Sequence, residues 1–251
     1  MKKILPFLNL ISFILVIAVN YLANYLPLNG VSTGGVSDNF PSLFTPIGFT
    51  FAIWGVIYTL LGIFVFYQMG FVGSEQDLSF YRNRVGYLFV TSCILNIAWL
   101  FSWHYKMLLV SLCIMFALLI NLILIYLRIN GKSTYLRKRN YLVTLPFSIY
   151  LGWIMVASIA NTSIYLLSIN WNRFGYSDVF WTNIMLLIAL FIFTLFVYLR
   201  RDIFVMLVYI WAAFGILYKH IFIFDSQYIY IIITAAFVIG SGITSIVFSK
   251  R

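Results

Sequence analysis

The chain has 251 residues, of which 63% are hydrophobic and only 9% are charged. A soluble domain carries about 25% charged residues, so this chain lacks the polar surface that a water-facing protein needs. The composition therefore excludes a soluble globular protein and identifies an integral membrane protein. The formal net charge of +10 suggests a nucleic-acid partner, but the positions of the charges, described below, argue against one.

Uncharged apolar runs long enough to cross about 30 Å of hydrocarbon, roughly 20 residues each, recur along the chain. They are continuously apolar and not alternating, which indicates helices and not the strands of a barrel. We predict an all-α integral membrane protein with about eight transmembrane helices. The predicted spans are 4–25, 43–67, 85–103, 107–127, 142–167, 179–199, 203–218 and 228–248. The end of the seventh span extends toward residue 224.

Basic residues are distributed unequally between the two sides of this eight-span arrangement. Of the 16 lysines and arginines, only Lys106, Arg173 and Lys219 fall on one side, and the other 13 fall on the opposite side. The positive-inside rule places the richer side in the cytoplasm. We therefore expect a multi-pass protein of a bacterial cell membrane with both termini cytoplasmic, and we assign the basic residues to topology.

Ionisable residues are scarce inside the predicted spans. All six acidic residues fall in loops or at helix ends, whereas ion-coupled transporters keep an ionisable group within the membrane. This disfavours a proton-coupled transporter and leaves a facilitator open. The two cysteines have neither disulfide nor metal-site spacing, so no metal site is expected.

The two histidines and one lysine near helix ends are predicted to be interfacial residues. His104 and His220 have no evident catalytic partner in the sequence, and Lys219 is expected to reach toward the membrane surface. Hydrolytic catalysis is therefore not expected, and no catalytic residue is assigned.

Aromatic residues make up 20% of the chain. Part of this content is the belt that tryptophan and tyrosine form at membrane interfaces. The deeper aromatic side chains allow two interpretations: they fill space between helices, or they line a cavity for a flat, largely apolar ligand. Three stretches favour the cavity, and packing stays as the alternative.

The stretch FTPIGFTFAIWGVIY opens the second predicted span. Pro46 is predicted in the first helical turn, where its missing N–H costs nothing. Gly48 and Gly55 are predicted to share a face that permits close helix contact. Trp54 and Tyr58 are four residues apart, so they also share a face.

The other two stretches combine a mid-span amide with tryptophan. In LNIAWLFSW, Asn96 is costly in hydrocarbon unless it is hydrogen-bonded, and Trp99 follows three residues later on the same side. In WIMVASIANTSIY, Trp153, Ala157 and Asn161 form one stripe. Together the stretches predict a pocket between helices.

These stretches resemble motifs of the TspO/MBR family, the tryptophan-rich sensory proteins related to the mitochondrial translocator protein. The family pattern F-x-P-P-x-W-x-F-x-x-V-W-x-x-L-Y is similar to FTPIGFTFAIWGVIY, and its L-N-x-x-W motif is similar to LNIAW. Its last-helix pattern W-x-x-x-x-A-x-x-x-N-x-x-I-W is loosely similar to the stretch that starts at Trp153. Order and spacing agree over about residues 4–167. The chain departs from the pattern at Ile47, Phe49, Ile57 and Tyr165.

The resemblance implies a five-helix bundle at residues 1–167, followed by an additional three-helix segment at 168–251. It also implies a pocket for porphyrins such as haem and its precursors, for steroids or for other flat apolar molecules, with no obligatory cofactor. Motifs and resemblance together predict these ligand-binding residues: Pro46, Phe49, Trp54, Tyr58, Asn96, Trp99, Trp153, Ala157 and Asn161. For His104 and His220, the functional alternative to an interfacial residue is an axial haem ligand or a substrate contact.

The leading functional hypothesis is a membrane ligand-binding or sensory protein, whose partners are the lipid bilayer and a small apolar ligand. A small-molecule transporter or facilitator is the alternative. An enzyme is a third reading, because the resemblance includes family members reported to break down porphyrins with light. Residues 168–251 are open to three roles: they cap the bundle, form a homodimer face or bind a partner.

The connection from residue 27 to residue 42 is rich in Gly, Ser and Asn. It is predicted to be either a slack connector or, as the resemblance implies, a lid over the mouth of the pocket.

Overall fold

A computed structural model of the protein describes residues 4–26, 28–130 and 140–249. Over these residues the chain forms ten α-helices and three short 3₁₀ helices. The α-helices are α1 (Ile4–Tyr25), α2 (Thr33–Asp38), α3 (Ile53–Gln68), α4 (Glu75–Val85), α5 (Leu88–His104), α6 (Leu108–Ile129), α7 (Tyr141–Ser168), α8 (Asp178–Arg200), α9 (Ile203–Phe222) and α10 (Ile229–Phe248). The 3₁₀ helices are Leu28–Gly30, Gly48–Ala52 and Arg173–Gly175.

Seven of the described helical segments are long and apolar enough to cross a membrane. They are α1, the segment Gly48–Gln68 that contains α3, and the five helices α6 to α10. Helices α4 and α5 meet at a bend of 48° and together form an eighth candidate span. The prediction of an all-α integral membrane protein with about eight transmembrane helices is confirmed.

The largest difference from the predicted spans lies at the start of the second one. Residues 43–47 are not helical, so the prediction that Pro46 lies in the first turn of its helix is wrong. Proline disfavours the helical conformation of the residue before it. The Thr45 hydroxyl donates a hydrogen bond to the carbonyl oxygen of Ser42, three residues earlier, at 3.0 Å.

Residues 75–84, predicted to lie in a loop, belong to α4. Ser74 caps the helix by accepting a hydrogen bond from the backbone N–H of Asp77 at 3.2 Å. Acidic residues occupy the first turn and arginines the last, an arrangement that the helix dipole stabilises. Leu78, Tyr81 and Val85 form its buried face. An amphipathic helix of this kind is typical of a membrane interface.

The chain divides into two compact units that are not contiguous in sequence. The first unit takes residues from 1–33 and 52–154, and the second takes residues from 34–51 and 155–251. Helix α7 contributes its N-terminal half to the first unit and its C-terminal half to the second. The predicted division of the chain at residue 167 stays a prediction.

In the first unit, α5 packs against α1 and α6, α1 packs against α3, and α4 packs against α6. Phe64, Phe89 and Phe147 form a buried cluster whose ring centroids lie 4.9–6.4 Å apart. The guanidinium of Arg82 donates through Nε and Nη2 to the carbonyl oxygen of Gln68, with an Nε–O distance of 3.0 Å. This contact joins α4 to the C-terminal end of α3.

The first part of the predicted flexible loop is held by the end of α5. His104 is 1% exposed, so the prediction that it is an interfacial residue is wrong. Its Nδ1 donates to the carbonyl of Leu28 at 3.1 Å, and its Nε2 accepts from the Thr33 hydroxyl at 3.0 Å. Trp103 donates its indole N–H to the Thr33 carbonyl at 3.1 Å. Pro27, where the predicted loop starts, lies outside the described residues.

In the second unit, α8, α9 and α10 pack against one another. Lys219 and His220 in the last turn of α9 are 6% and 0% exposed, so the expectation that they lie at the membrane surface is wrong. The ammonium of Lys219 donates to the Thr45 hydroxyl at 3.0 Å and to the Thr45 carbonyl at 3.2 Å. His220 Nε2 donates to the Leu43 carbonyl at 2.9 Å. These side chains donate hydrogen bonds to backbone carbonyls that take no part in helical hydrogen bonding.

Asp38, the last residue of α2, is the acidic group near Lys219 in the same unit. Burial raises the pKa of the Asp38 carboxyl, and the positive charge of Lys219 opposes that rise. The carboxyl also approaches the backbone closely, because a Cβ added to Gly48 would lie 3.0 Å from Asp38 Oδ2.

Close approach of chain segments occurs at Gly215 in α9, and not at Gly55. A Cβ built on Gly215 would collide with the Thr50 methyl group and lie 3.0 Å from Pro46 Cβ. A Cβ built on Gly55 meets no described atom within 4 Å, so the prediction that Gly55 permits close helix contact is wrong. The missing side chain of Gly215 thus allows the segment before α3 to pack on α9.

We predict that Gly215→Ala destabilises the protein, because Thr50 and Pro46 leave no room for the new methyl group. Overpacking of this kind costs about 1–3 kcal/mol. The measurement is the thermal unfolding midpoint of purified protein in detergent. Gly240→Ala is the matched control, since nothing lies within 4 Å of a Cβ at that position of α10. Equal midpoints for the two variants would contradict the prediction.

Candidate aromatic ligand site

An aromatic cluster in the first unit brings together residues from α3, α5 and α7. Trp54 lies at its centre, with ring centroids 5.5 Å from Tyr58, 6.2 Å from Trp99, 5.9 Å from Tyr150 and 6.5 Å from Trp153. Its ring is stacked on Tyr58 with an interplanar angle of 20°, and it meets Tyr150 and Trp153 edge to face. Stacked and edge-to-face pairs are the favoured geometries of aromatic rings.

A hydrogen-bond network centred on Asn96 orients two of these rings. The amide oxygen of Asn96 accepts from the Tyr58 hydroxyl at 3.2 Å and from the Asn20 amide at 2.9 Å. Its Nδ2 donates to the Tyr150 hydroxyl at 3.2 Å. Because Asn96 is 1% exposed, these bonds meet the need of a buried amide for partners. They also connect α1, α3, α5 and α7 at one level.

Burial differs across the cluster. Trp99 and Trp153 are 4% and 2% exposed, whereas Trp54 and Tyr58 are partly exposed. The stacked pair of Trp54 and Tyr58 therefore forms the accessible edge of the cluster, and Trp99 and Trp153 form its buried part. The partly exposed Asn20 places an amide next to this edge.

The structure brings together five of the nine predicted site residues: Trp54, Tyr58, Asn96, Trp99 and Trp153. The other four, Pro46, Phe49, Ala157 and Asn161, belong to the second unit. There Phe49 packs against Trp211 and Tyr218 of α9, with centroid distances of 5.8 and 5.4 Å. Ala157 is partly buried and Asn161 is buried. The role of all nine residues in ligand binding stays a prediction.

Sequence reasoning missed Tyr150 and Asn20. Tyr150 precedes Trp153 by three residues, so helical spacing alone places both on one face of α7. Asn20 is an amide in the interior of the first span, which is the same signal that singled out Asn96. Both residues could therefore have been predicted from the sequence as members of the cluster.

The second unit contains a separate cavity of about 180 Å³. Its lining includes Leu43, Trp171 and Trp181, together with an ion pair between Arg173 and Asp178 at 2.8 Å. None of the nine predicted site residues lines it.

The fold and the neutral, aromatic site define a multi-pass helical membrane protein. The model of the TSPO-like protein family matches residues 6–248. The chain therefore belongs to the TSPO-like protein family, a family of membrane ligand-binding and sensory proteins, and the resemblance inferred from the motifs is confirmed. The match continues through α8, α9 and α10, beyond the region in which the motifs lie. Searches of curated proteins and of solved structures found no significant match.

We predict that Asn96→Leu lowers stability, since it removes three hydrogen bonds and leaves two tyrosine hydroxyls and one amide without that partner. Hydrogen bonds between helices in membranes are worth about 0.6 kcal/mol each on average, so the expected loss is about 2 kcal/mol. The measurement is the free energy of unfolding in mixed detergent micelles.

Asn183→Leu in α8 is the control for this variant. The Asn183 amide oxygen is buried and has no hydrogen-bond partner among the described atoms, so leucine should be neutral or stabilising there. If both substitutions have the same effect, the Asn96 network does not contribute to stability.

Proposed function

We propose that the protein binds a flat, largely apolar molecule of the porphyrin or steroid class on the exposed edge of the aromatic cluster. The observation that carries this proposal is the stacked Trp54–Tyr58 pair, which is partly exposed while the tryptophans behind it are buried. A planar ligand gains most from a planar, rigid aromatic surface. Membership of the TSPO-like protein family supports binding at this general level.

The polar groups at this edge are neutral amides and hydroxyls. Asn20, Tyr58 and Asn96 are already hydrogen-bonded to one another, so they are held in place before a ligand arrives. Ligand sites of this type combine an apolar wall with a few polar groups that fix orientation. We infer that the apolar face of the ligand stacks on Trp54 and that its polar substituents point toward Asn20.

The neutral character of the cluster favours binding or sensing over ion-coupled transport. None of its residues carries a charge, whereas coupling to a proton or ion gradient uses an ionisable group in the membrane, so the cluster itself supplies no coupling group. A transporter or facilitator is the alternative function. It would move the ligand across liposomes without saturable binding at the cluster.

We predict that Trp54→Leu weakens binding of protoporphyrin about tenfold, because leucine suits a membrane helix and offers no stacking face. The measurement is a titration followed by the Soret absorption band of the porphyrin, with far-ultraviolet circular dichroism to establish that the variant is folded. Trp54→Phe retains a ring and should give an intermediate affinity.

Trp171→Leu is the matched control, since it removes an indole that lines the separate cavity of the second unit. Its affinity for protoporphyrin should equal that of the unaltered protein. Equal weakening by Trp54→Leu and Trp171→Leu would overturn the assignment of the site. No saturable Soret change in the unaltered protein would overturn binding of this ligand class.

We also propose that both termini lie in the cytoplasm. The support is the unequal distribution of lysine and arginine, eight of which lie outside the described residues: Lys2, Lys3, Lys132, Arg137, Lys138, Arg139, Lys250 and Arg251.

The expected result is that a reporter fused after Lys132 reads cytoplasmic, and a reporter inserted between Gly34 and Asn39 reads external. Alkaline phosphatase and green fluorescent protein fusions measure the two states. The opposite pair of readings would invert the topology, and identical readings at both positions would contradict the eight-span arrangement.

A further inference from the structure

A second, chemically different recess lies in the first unit, away from the aromatic cluster. It is an open cleft of about 1140 Å³ between α1, α4, α5 and α6. Its lining residues are Leu5, Glu75, Gln76, Ser79, Arg82, Asn83, Gly86, Tyr87, Leu88, Thr91 and Arg128. None of them belongs to the aromatic site, and the proposed function makes no use of them.

One face of α4 supplies the polar wall of this cleft. Glu75, Gln76, Ser79, Arg82 and Asn83 recur at the spacing that places residues on a single helical face. The opposite, apolar face of α4 is buried through Leu78, Tyr81 and Val85. Helix α4 is thereby held in place with its polar side chains toward the cleft.

The lining of the cleft includes residues at the ends of candidate membrane spans, which indicates a position at one boundary of the hydrocarbon region. Leu5 is in the first turn of α1, Leu88 is the first residue of α5, and Arg128 is one residue from the end of α6. The candidate spans α1 and α6 thus start or end at the cleft, and the cleft also includes the bend between α4 and α5. The distribution of basic residues assigns these same helix ends to the cytoplasmic side, where anionic lipids are concentrated.

The walls of the cleft combine charges with apolar surface. Arg82 and Arg128 contribute two positive charges and Glu75 contributes one negative charge, so the lining has a net charge of the sign that attracts a phosphate diester. Arg82 is fixed in its place by the hydrogen bonds to the Gln68 carbonyl. Arginine is the residue best suited to bind phosphate oxygens.

The remaining lining matches the other parts of a lipid. Ser79 and Asn83 offer a hydroxyl and an amide to a polar headgroup. Leu5 and Leu88 begin helices that continue into the hydrocarbon, so acyl chains bound beside them would run into the bilayer. The cleft is large enough for a headgroup and the first part of its chains, whereas a small soluble anion would leave the apolar wall uncovered.

We propose that this cleft binds a phospholipid with an anionic headgroup, whose phosphate contacts Arg82 and Arg128 and whose acyl chains follow α1 and α5. The lipid would fill the angle between α4 and α5 and hold α4 at the membrane interface. This inference depends on the membrane-spanning fold and on the cytoplasmic placement of these helix ends proposed above, and not on the aromatic site.

The experiment is a native mass spectrometry titration of the full chain, released from detergent, with three probes. Dioleoylphosphatidylglycerol is the anionic lipid, dioleoylphosphatidylcholine is the zwitterionic lipid with the same chains, and glycerol 3-phosphate is the soluble anion. We expect saturable binding of one phosphatidylglycerol, weaker binding of phosphatidylcholine and no binding of glycerol 3-phosphate. A site for small anions would bind glycerol 3-phosphate as well as the lipid, and that result would overturn the proposal.

Arg128→Gln should weaken phosphatidylglycerol binding about fivefold, since one basic residue near the surface is worth about 1 kcal/mol toward an anionic lipid. Arg128 is exposed, so the fold should tolerate the change. Arg84→Gln is the matched control: Arg84 is on α4 and lies over the Phe80 ring at 3.7 Å, but it does not line the cleft. Equal weakening by both variants would assign the effect to general surface charge and overturn the site.

Ser79→Phe provides a test that leaves the charges unchanged. The larger ring should fill part of the cleft and lower the affinity for phosphatidylglycerol, while porphyrin binding at the aromatic site stays as in the unaltered protein. Full phosphatidylglycerol affinity in this variant would contradict the cleft as the lipid site. Far-ultraviolet circular dichroism establishes that the variant is folded, so the test of the cleft does not depend on the outcome of the porphyrin experiment.

Discussion

A polar group placed in hydrocarbon is costly unless it finds a partner within the protein, because the bilayer core offers no water. Asn96 shows how far this constraint reaches. Its amide bonds to Asn20, Tyr58 and Tyr150, so α1, α3 and α7 all meet α5 at the same level. The same bonds set the orientation of two rings on which Trp54 packs. The geometry of the aromatic site is therefore a consequence of satisfying one buried amide.

The same constraint explains how the chain tolerates irregular backbone beside its helices. Residues 43–47 are not helical, so their backbone carbonyls need other hydrogen-bond donors. Lys219 and His220 donate to carbonyls of this segment and to that of Ser42. Residues 28–33 are held in a similar way by His104 and Trp103. In both cases the sequence predicted that the donor residues lie at the membrane surface. They are buried because the neighbouring backbone carbonyls need hydrogen-bond donors.

The first unit presents two surfaces with different chemistry. The aromatic edge at Trp54 and Tyr58 carries no charge, and it is the surface that we propose for a flat apolar ligand. The cleft beside α4 is lined by arginines, a carboxylate and apolar side chains, and it is the site that we propose for an amphiphile with a phosphate. Helix α5 contributes to both, through Asn96 and Trp99 at its middle and through Leu88 at its start. Changes at one surface can thus be made without altering the residues of the other.

By itself the sequence determined the class of protein, the spans and the local pairs within them. Continuous apolar runs and helical spacing were enough for the eight segments and for the shared faces of Trp54 with Tyr58 and of Asn96 with Trp99. The signals for α4 were also present: Ser74 as a cap, acids in the first turn and arginines in the last. These are properties of residues close in the chain, and periodicity reports them directly.

Only the tertiary structure decided which distant residues became partners. Tyr150 and Asn20 joined the site through Asn96. Residues 34–51 grouped with the C-terminal helices and not with α1, and Gly215, unlike Gly55, became a point of close approach. In a chain this uniformly apolar, many helix faces are chemically alike, so hydrophobicity does not specify which face meets which. The few polar side chains and the missing Cβ atoms make that choice, and their effect depends on contacts between segments far apart in sequence.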